Sequence, residues 1–281
     1  MLANFLIGLR EGLEASLIVG ILIAYLVKTD RRHEIRYVWL GVAIALAVSI
    51  AFGIALNLTQ QALTFEAKEA FGGTMSLIAV GFVTWMIFWM RATARSIKGE
   101  LEGRIDSALA MGPLTLALVA FVAVGREGVE TSMFTWVTGE AVADNASPYI
   151  GTVIGLTIAV ILGISIYLGA VRINLGKFFT WTGAFLVVVA AGVLAYAIHD
   201  LQEAGILPGL NNTVFNISST LSLDSWLGTV LKGTFNYNPA PTWLEFVAWL
   251  AYLIPVMTIF LWPSRPQVLR RPVEQRETVA S

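Results

Sequence analysis

Seven stretches of the chain are apolar over about 20 residues, and short polar or charged connections separate them. A helix needs about 20 apolar residues to cross the hydrocarbon core of a bilayer, so each stretch predicts one transmembrane helix. The predicted spans are 2–27, 37–58, 70–90, 113–138, 149–171, 178–198 and 243–262. The pattern therefore predicts an all-α polytopic membrane protein with seven transmembrane helices.

Composition agrees with a membrane class and excludes several others. Hydrophobic residues make up 57% of the 281 residues and charged residues only 13%, whereas a soluble domain carries about 25% charged residues. We expect one transmembrane domain over residues 1–262 and a basic, disordered cytoplasmic tail over 263–281. The chain has no cysteine, which excludes disulfides and thiolate metal sites. A net charge of −1 gives no basic surface for a nucleic acid.

Lysine and arginine are distributed unevenly over the two sides of the predicted bundle. If the connection after the first helix is cytoplasmic, 14 of these residues lie on the cytoplasmic side and only Lys68 and Lys232 lie on the other. The remaining two, Arg10 and Arg126, fall within helices. Positive residues are retained on the cytoplasmic side of membranes. The split predicts an external N-terminus and a cytoplasmic C-terminus. We expect a multi-pass protein of the cell (inner) membrane whose helices contact membrane lipids.

The sequence Arg-Glu-Gly-x-Glu occurs twice, near the middle of the first and fourth predicted spans. The first motif is 10–14 and the second is 126–130, which places them 116 residues apart. Three helices separate the two starts, so the two motif helices cross the membrane in opposite senses. We therefore predict a three-plus-three inverted repeat with one added helix, an arrangement that puts substrate sites near the midplane.

The two motifs place six charged side chains at membrane depth, where charge is costly. Residues three and four apart share a helix face, so Arg10 lies beside Glu14, and Arg126 lies beside Glu130. Four glutamates and two arginines, all ionised, carry a net charge of −2, which one divalent cation neutralises. Carboxylates favour hard cations such as iron, manganese, magnesium and calcium. We predict that Glu11, Glu14, Glu127 and Glu130 are the metal ligands and that the two arginines balance their charge.

A structural alternative applies to the same residues. Each motif would then be an ion pair that locks two helices together and binds no ligand. The occurrence of two nearly identical motifs at equivalent depth favours the metal site.

At these motifs the chain resembles the oxidase-dependent iron permease family, and most closely its bacterial EfeU-type members. Further similar stretches are 84–91, 106–109, 172–176 and 203–205. The resemblance implies an iron transporter whose paired motifs form the iron path, with iron as the transported substrate and no permanently bound cofactor. It also implies a periplasmic iron-binding protein and a haem-containing peroxidase as partners. Close relatives often have histidine before the Glu-Ala-Gly stretch, where this chain has Gln202.

Acidic residues near both ends of the predicted path suggest weaker sites. On the external side, Glu66 and Glu69 in a connection, with His199 and Glu203 at the end of the sixth helix, are candidates for collecting the metal. On the cytoplasmic side, Glu102 and Asp106 are candidates for its release. Solvated acidic surfaces are a simpler explanation for both groups.

The function that the sequence favours is a high-affinity iron permease that moves iron inward, and not an enzyme. A transporter or channel for another hard divalent cation, such as manganese, fits the same ligands. An intramembrane metal-dependent hydrolase is a remote alternative, because the chain lacks a His-Glu-x-x-His motif and a Gly-x-Ser-x-Gly motif. The sequence leaves both Fe²⁺ and Fe³⁺ open.

Overall fold

A computed structural model of the chain describes residues 1–93, 113–140, 146–170, 174–223 and 225–262. Over these ranges the structure is helical, with no β-strand and a single isolated bridge between Thr213 and Thr242. The eight α-helices are α1 (Leu2–Lys28), α2 (Ile35–Gln61), α3 (Phe65–Thr93), α4 (Pro113–Glu140), α5 (Ala146–Tyr167), α6 (Leu175–Glu203), α7 (Trp226–Phe235) and α8 (Trp243–Leu261).

Five helices in the described ranges are long and apolar enough to cross a membrane: α2, α3, α5, α6 and α8. The other two long helices, α1 and α4, have 27 and 28 residues. Both helices are continuous, but the three charged residues of an Arg-Glu-Gly-x-Glu motif interrupt the apolar sequence of each. The all-helical class is confirmed, and the prediction of seven spans is confirmed for these five.

The helix ends follow local capping chemistry. The side chains of Asn174, Ser225 and Thr242 accept hydrogen bonds from backbone N–H groups in the first turns of α6, α7 and α8. Such caps satisfy donors that have no partner within the helix. Asn236 ends α7 in the left-handed conformation, with φ of 52°, which asparagine tolerates better than most residues.

The long helices associate in a regular set of pairs. α1 lies along α5, α2 lies along α4, and α3 lies along α6, while α1 also crosses α4 and α8 covers α6. Exchanging the group α1–α3 with the group α4–α6 converts the first pair into the second and leaves the α3/α6 and α1/α4 pairs unchanged. An internal repeat of three helices gives this pattern, although the repeat itself stays a prediction.

Close helix approach occurs at the glycine of each motif. A Cβ atom at Gly12 would lie 2.7 Å from Cβ of Ala159 on α5. A Cβ atom at Gly128 would overlap the side chain of Ser49 on α2. Both glycines therefore let a motif helix contact its neighbour directly, and their partners lie 110 residues apart, in the two helices that the repeat would exchange.

The end of the bundle that we predict to be external carries the longest described connection, from α6 to α8. The amphipathic pattern there predicts a short helix over 214–231, and α7 confirms only its last part. The prediction is wrong for 214–221, which is not helical. There the backbone N–H groups of Val214 and Ile217 donate to the carbonyls of Pro241 and Pro239 at 2.9 and 3.0 Å, so hydrogen bonds to residues 239–241 of the same connection replace helical bonds.

Candidate metal centre

The two motifs face each other where α1 crosses α4. One carboxylate oxygen from each of Glu11, Glu14 and Glu127 lies within 4.8 Å of the others, and all three side chains are buried. The sequence periodicity predicts that glutamates within a motif are neighbours. The crossing of the helices adds a glutamate from the second motif to two from the first.

Glu130 takes a different position from this group of three. It is also buried, but its Oε1 atom pairs with Nε of Arg126 at 3.5 Å. Because it is three residues from Glu127 on the same helix, it extends the carboxylate cluster by about one turn. The structure thus brings three of the four predicted ligands into one group and places the fourth beside it.

Arg10 is enclosed in the first motif, with only 1% of its side chain exposed. Its guanidinium lies 3.6 Å from Glu11 and 3.4 Å from Glu14. Its Nη2 atom contacts the sulfur of Met90 on α3. Neither its Nε atom nor its Nη1 atom forms a hydrogen bond within the described part of the chain. The arginine therefore balances charge through ion pairs that are longer than hydrogen bonds.

Arg126 is held more tightly in the second motif, yet 31% of its side chain is exposed. Its Nη2 and Nε atoms lie 2.8 and 3.0 Å from Oε1 of Glu127. The guanidinium carbon lies 4.6 Å from the ring centre of Trp89 and 5.8 Å from that of Trp85. Sequence reasoning missed this contact, although two tryptophans four residues apart do share one helix face.

Several oxygens of the cluster have no hydrogen-bond partner in the described ranges. These buried atoms are both carboxylate oxygens of Glu11 and one each of Glu14, Glu127 and Glu130. An unpartnered buried polar group costs about 1–3 kcal/mol, and a charged group costs more. A cation bound among these oxygens would remove much of that cost. The donor set consists of hard oxygens, so the cluster fits a hard metal ion.

Comparison with known proteins agrees with this chemistry. The profile of the Iron permease FTR1 family matches residues 1–269. The chain belongs to this iron permease family. Its relatives are permeases and not enzymes, and together with the five apolar helices this makes the permease an integral membrane protein.

Individual relatives are similar over nearly their whole length. The ferrous iron permease EfeU of Escherichia coli O6:H1 is 41% identical over 268 residues, which cover 94% of this chain and 97% of the relative. The ferrous iron permease EfeU of Yersinia pestis is 40% identical over 94% of this chain and 95% of its own. A putative inactive ferrous iron permease EfeU of E. coli K12 is also 40% identical. No solved structure matches the chain significantly.

The residues that we predict to collect metal lie at one end of the bundle. Glu66 and Glu69 lie in the first two turns of α3 and not in a connection, with Glu66 exposed and Glu69 half-buried. His199 is at the end of α6, and its Nε2 atom lies 3.4 Å from Glu203. The Nδ1 atom of His199 lies 2.9 Å from buried Glu245, a partner that sequence reasoning missed.

The predicted release residues, Glu102 and Asp106, lie outside the described residues, as does the predicted tail 263–281. Met86 lies in the apolar core with Met90, where methionine fills space between helices.

Proposed function

We propose that this permease carries iron inward across the cell membrane through Glu11, Glu14 and Glu127, with Glu130 as the fourth carboxylate on the path and Arg10 and Arg126 balancing the charge. The observation that carries this proposal is the group of three buried carboxylates within 4.8 Å of one another. Unpartnered oxygens on all four glutamates support it further. Membership of an iron permease family supports iron as the ion.

Inward transport along this path requires a particular orientation of the helices in the membrane. We place the N-terminus outside and the C-terminus in the cytoplasm of a multi-pass protein of the inner membrane, in which α1 and α4 span the membrane together with the five apolar helices. The lysine and arginine split favours this orientation. The exchangeable pairs α1/α5 and α2/α4 favour the three-plus-three repeat.

Fe²⁺ is the redox state that we propose. The relatives from E. coli and Y. pestis are named ferrous iron permeases. A divalent ion also matches the net charge of −2 on four ionised glutamates and two arginines. Manganese is the competing ion, since it accepts the same hard ligands.

Accessory steps are proposed at both ends of the path. At the outer end, Glu66, Glu69, His199 and Glu203 would collect the ion. Glu245 fixes the ring of His199 through Nδ1, and such orientation by a carboxylate is common for histidine ligands. Glu102 and Asp106 would receive the ion inside. By resemblance, a periplasmic iron-binding protein and a haem peroxidase would act with the permease.

Uptake of radioactive iron into proteoliposomes tests the proposal. The wild type is compared with Glu11→Gln, first with Fe²⁺ under reductant and then with chelated Fe³⁺, and with Mn²⁺ as competitor. Glu34→Gln is the matched control, because Glu34 is equally buried and pairs with Arg31 at 2.7 Å away from the motifs. We expect Glu11→Gln to reduce uptake at least tenfold, since even outer-shell changes weaken metal sites by about 10–100-fold.

The comparison with Glu34→Gln separates a transport role from a general effect of losing a buried charge. Equal uptake by Glu11→Gln and the wild type, with both inserted correctly, would overturn the proposed site. Stronger uptake of Mn²⁺ than of either iron species would show that manganese is the transported ion and would leave the proposed site unchanged.

A further inference from the structure

Buried polar side chains continue from the carboxylate cluster toward the outer end of the bundle. Thr131, Thr135 and Thr138 follow Glu127 on α4 at helical spacing, so all four lie on one face. Asn4 on α1 and Thr152 on α5 lie beside them. We call Asn4, Thr131, Thr135, Thr138 and Thr152 the polar file, and each of its members is less than 9% exposed.

Hydrogen bonds connect the polar file across three helices. The amide Nδ2 of Asn4 donates to the hydroxyl of Thr138. The hydroxyls of Thr135 and Thr152 lie 2.8 Å apart. At the inner end of the file, the hydroxyl of Thr131 donates to the backbone carbonyl of Glu127 at 2.7 Å. The inner end of the file therefore lies one helical turn from Glu127, and the carboxylates of Glu11 and Glu127 have oxygens without a hydrogen-bond partner among the described residues.

The hydroxyl protons in the file can all be used by hydrogen bonds within the protein. Thr138 donates to the carbonyl of Phe134 at 2.7 Å, and Thr152 donates to that of Pro148 at 3.1 Å. Either hydroxyl can be the donor in the Thr135–Thr152 pair, and when Thr152 donates to Pro148, Thr135 donates to Thr152. A hydroxyl oxygen has two lone pairs, and the bonds described occupy no more than one on each threonine. The file thus offers oxygen acceptors without spare protons, a lining that suits a cation.

In the inner half of the bundle, the positions that the proposed repeat makes equivalent to the polar file carry different side chains. A shift of 116 residues places α4 on α1, and a shift of 110 residues places α5 on α2. Under these shifts every member of the file corresponds to an apolar residue. The pairs are Thr131 with Ala15, Thr135 with Val19, Thr138 with Leu22, Asn4 with Ala120 and Thr152 with Val42.

Four of these five counterparts, all but Ala15, belong to one apolar core or pack against it. Leu22 and Ala120 are fully buried in one cluster with Leu26, Val38 and Leu116. Val42 packs against the same cluster. The side chains at these positions are hydrocarbon and offer a dehydrated cation no oxygen ligand. The buried side chains are therefore polar on the outer side of the two motifs and apolar at the equivalent positions on the inner side.

We propose that the polar file is a neutral-oxygen subsite through which a divalent cation, stripped of part of its water, reaches the carboxylates from the outer end. The inference rests on the proposed function of the carboxylate cluster. Hydroxyl and amide oxygens replace the lost water ligands, and hard cations accept such ligands. The apolar inner half keeps the ion from passing until the bundle rearranges.

A structural role for the same threonines gives different results in a matched experiment. Threonine commonly bonds to the carbonyl four residues before it in a helix, and this alone contributes only to packing. The double variant Thr135→Val with Thr152→Val removes both hydroxyls and keeps side-chain shape. Thr157→Val is the control, because Thr157 lies on α5 with the same type of bond, to Val153 at 2.7 Å, but is exposed.

We expect the double valine variant to raise KM for Fe²⁺ uptake about tenfold, with an unchanged melting temperature. The double variant Thr135→Ser with Thr152→Ser, which keeps the hydroxyls, should transport as the wild type does. Thr157→Val should also match the wild type. If the double valine variant has a normal KM and Glu11→Gln abolishes uptake, the polar file is not a cation subsite, while the proposed carboxylate site stands. Normal uptake by Glu11→Gln would instead overturn the proposed function.

Thiol modification tests the route even if the valine variant does not fold. The chain has no cysteine, so Thr135→Cys and Val19→Cys each carry one reactive group. A small cationic methanethiosulfonate reagent added from outside should block uptake by Thr135→Cys and leave Val19→Cys and the wild type active. Block of Val19→Cys alone, or of neither variant, would contradict an outer route along the file.

Discussion

Arg10 and Arg126 occupy the same position in two motifs of the same pattern, yet their surroundings differ. Arg10 is enclosed, and its closest carboxylate lies 3.4 Å away. Arg126 lies 2.8 Å from Glu127, rests on Trp89 and is 31% exposed. Within the described ranges neither oxygen of Glu11 accepts a hydrogen bond, whereas one oxygen of Glu127 accepts one from its arginine. The carboxylates of the first motif thus make only long ion pairs with Arg10, whereas one oxygen of Glu127 in the second motif is hydrogen-bonded to Arg126.

The largest expected difference between the motifs is in stability after loss of the arginine. Arg10→Met leaves Glu11 and Glu14 buried without a positive partner on their own helix. Removing one partner of a buried ion pair costs about 3–5 kcal/mol. Arg126→Met should cost less, because part of that side chain lies outside the packed interior. Thermal unfolding of the purified variants in detergent, followed by size-exclusion chromatography, measures the difference.

Adding Fe²⁺ or Mn²⁺ during this measurement provides the control. A bound cation supplies the missing positive charge, so it should raise the melting temperature of Arg10→Met more than that of the wild type. If Arg126→Met is the less stable of the two variants, the comparison between the motifs is reversed.

A smaller effect is expected at the glycine of the first motif. In Gly12→Ala, the added methyl group meets Ala159 at 2.7 Å and Leu156 at 3.0 Å. Overpacking of this kind costs about 1–3 kcal/mol. Gly20→Ala on the same helix is the control, since a Cβ atom there meets nothing within 4 Å. The measurement is again the melting temperature.

Rescue sharpens this prediction. Combining Gly12→Ala with Ala159→Gly moves the methyl group from α5 to α1 and should restore most of the stability. In the second motif, Gly128→Ala should lose stability, and Ser49→Gly on α2 should restore most of it, because Ser49 is the residue that the added methyl group meets. Failure of both rescues would mean that the glycines do not act through these contacts.

Sequence reasoning located the motifs and the long helices, because apolar length and i, i+4 spacing are local properties. It missed what depends on how helices meet. The crossing of α1 and α4 decides that Glu127 joins Glu11 and Glu14 while Glu130 stays beside Arg126. No local pattern specifies that crossing.

Two other features show how non-local contacts override or hide a pattern. Residues 214–221 have an amphipathic helical pattern, but Val214 pairs with Pro241 across the connection. The polar file is hidden for another reason. Threonine is common where membrane helices meet, and Thr135 and Thr138 become distinctive only beside Val19 and Leu22, which would be their counterparts in the proposed repeat.

The smallest expected effect concerns the aromatic support of Arg126. Trp89→Leu removes the closer of its two ring contacts, at 4.6 Å, and a cation–π contact contributes about 0.5–1 kcal/mol at a partly exposed site. The freed guanidinium then competes better with a cation for Glu127, so KM for iron uptake should rise about two- to fivefold. Trp89→Phe keeps an aromatic ring, so its KM should lie between those of the wild type and Trp89→Leu. Trp181→Leu, at a tryptophan that is 78% exposed on α6, should leave KM unchanged. If Trp89→Leu and Trp181→Leu give the same KM, the ring of Trp89 does not support Arg126, and the difference between the two arginines is one of exposure and not of support.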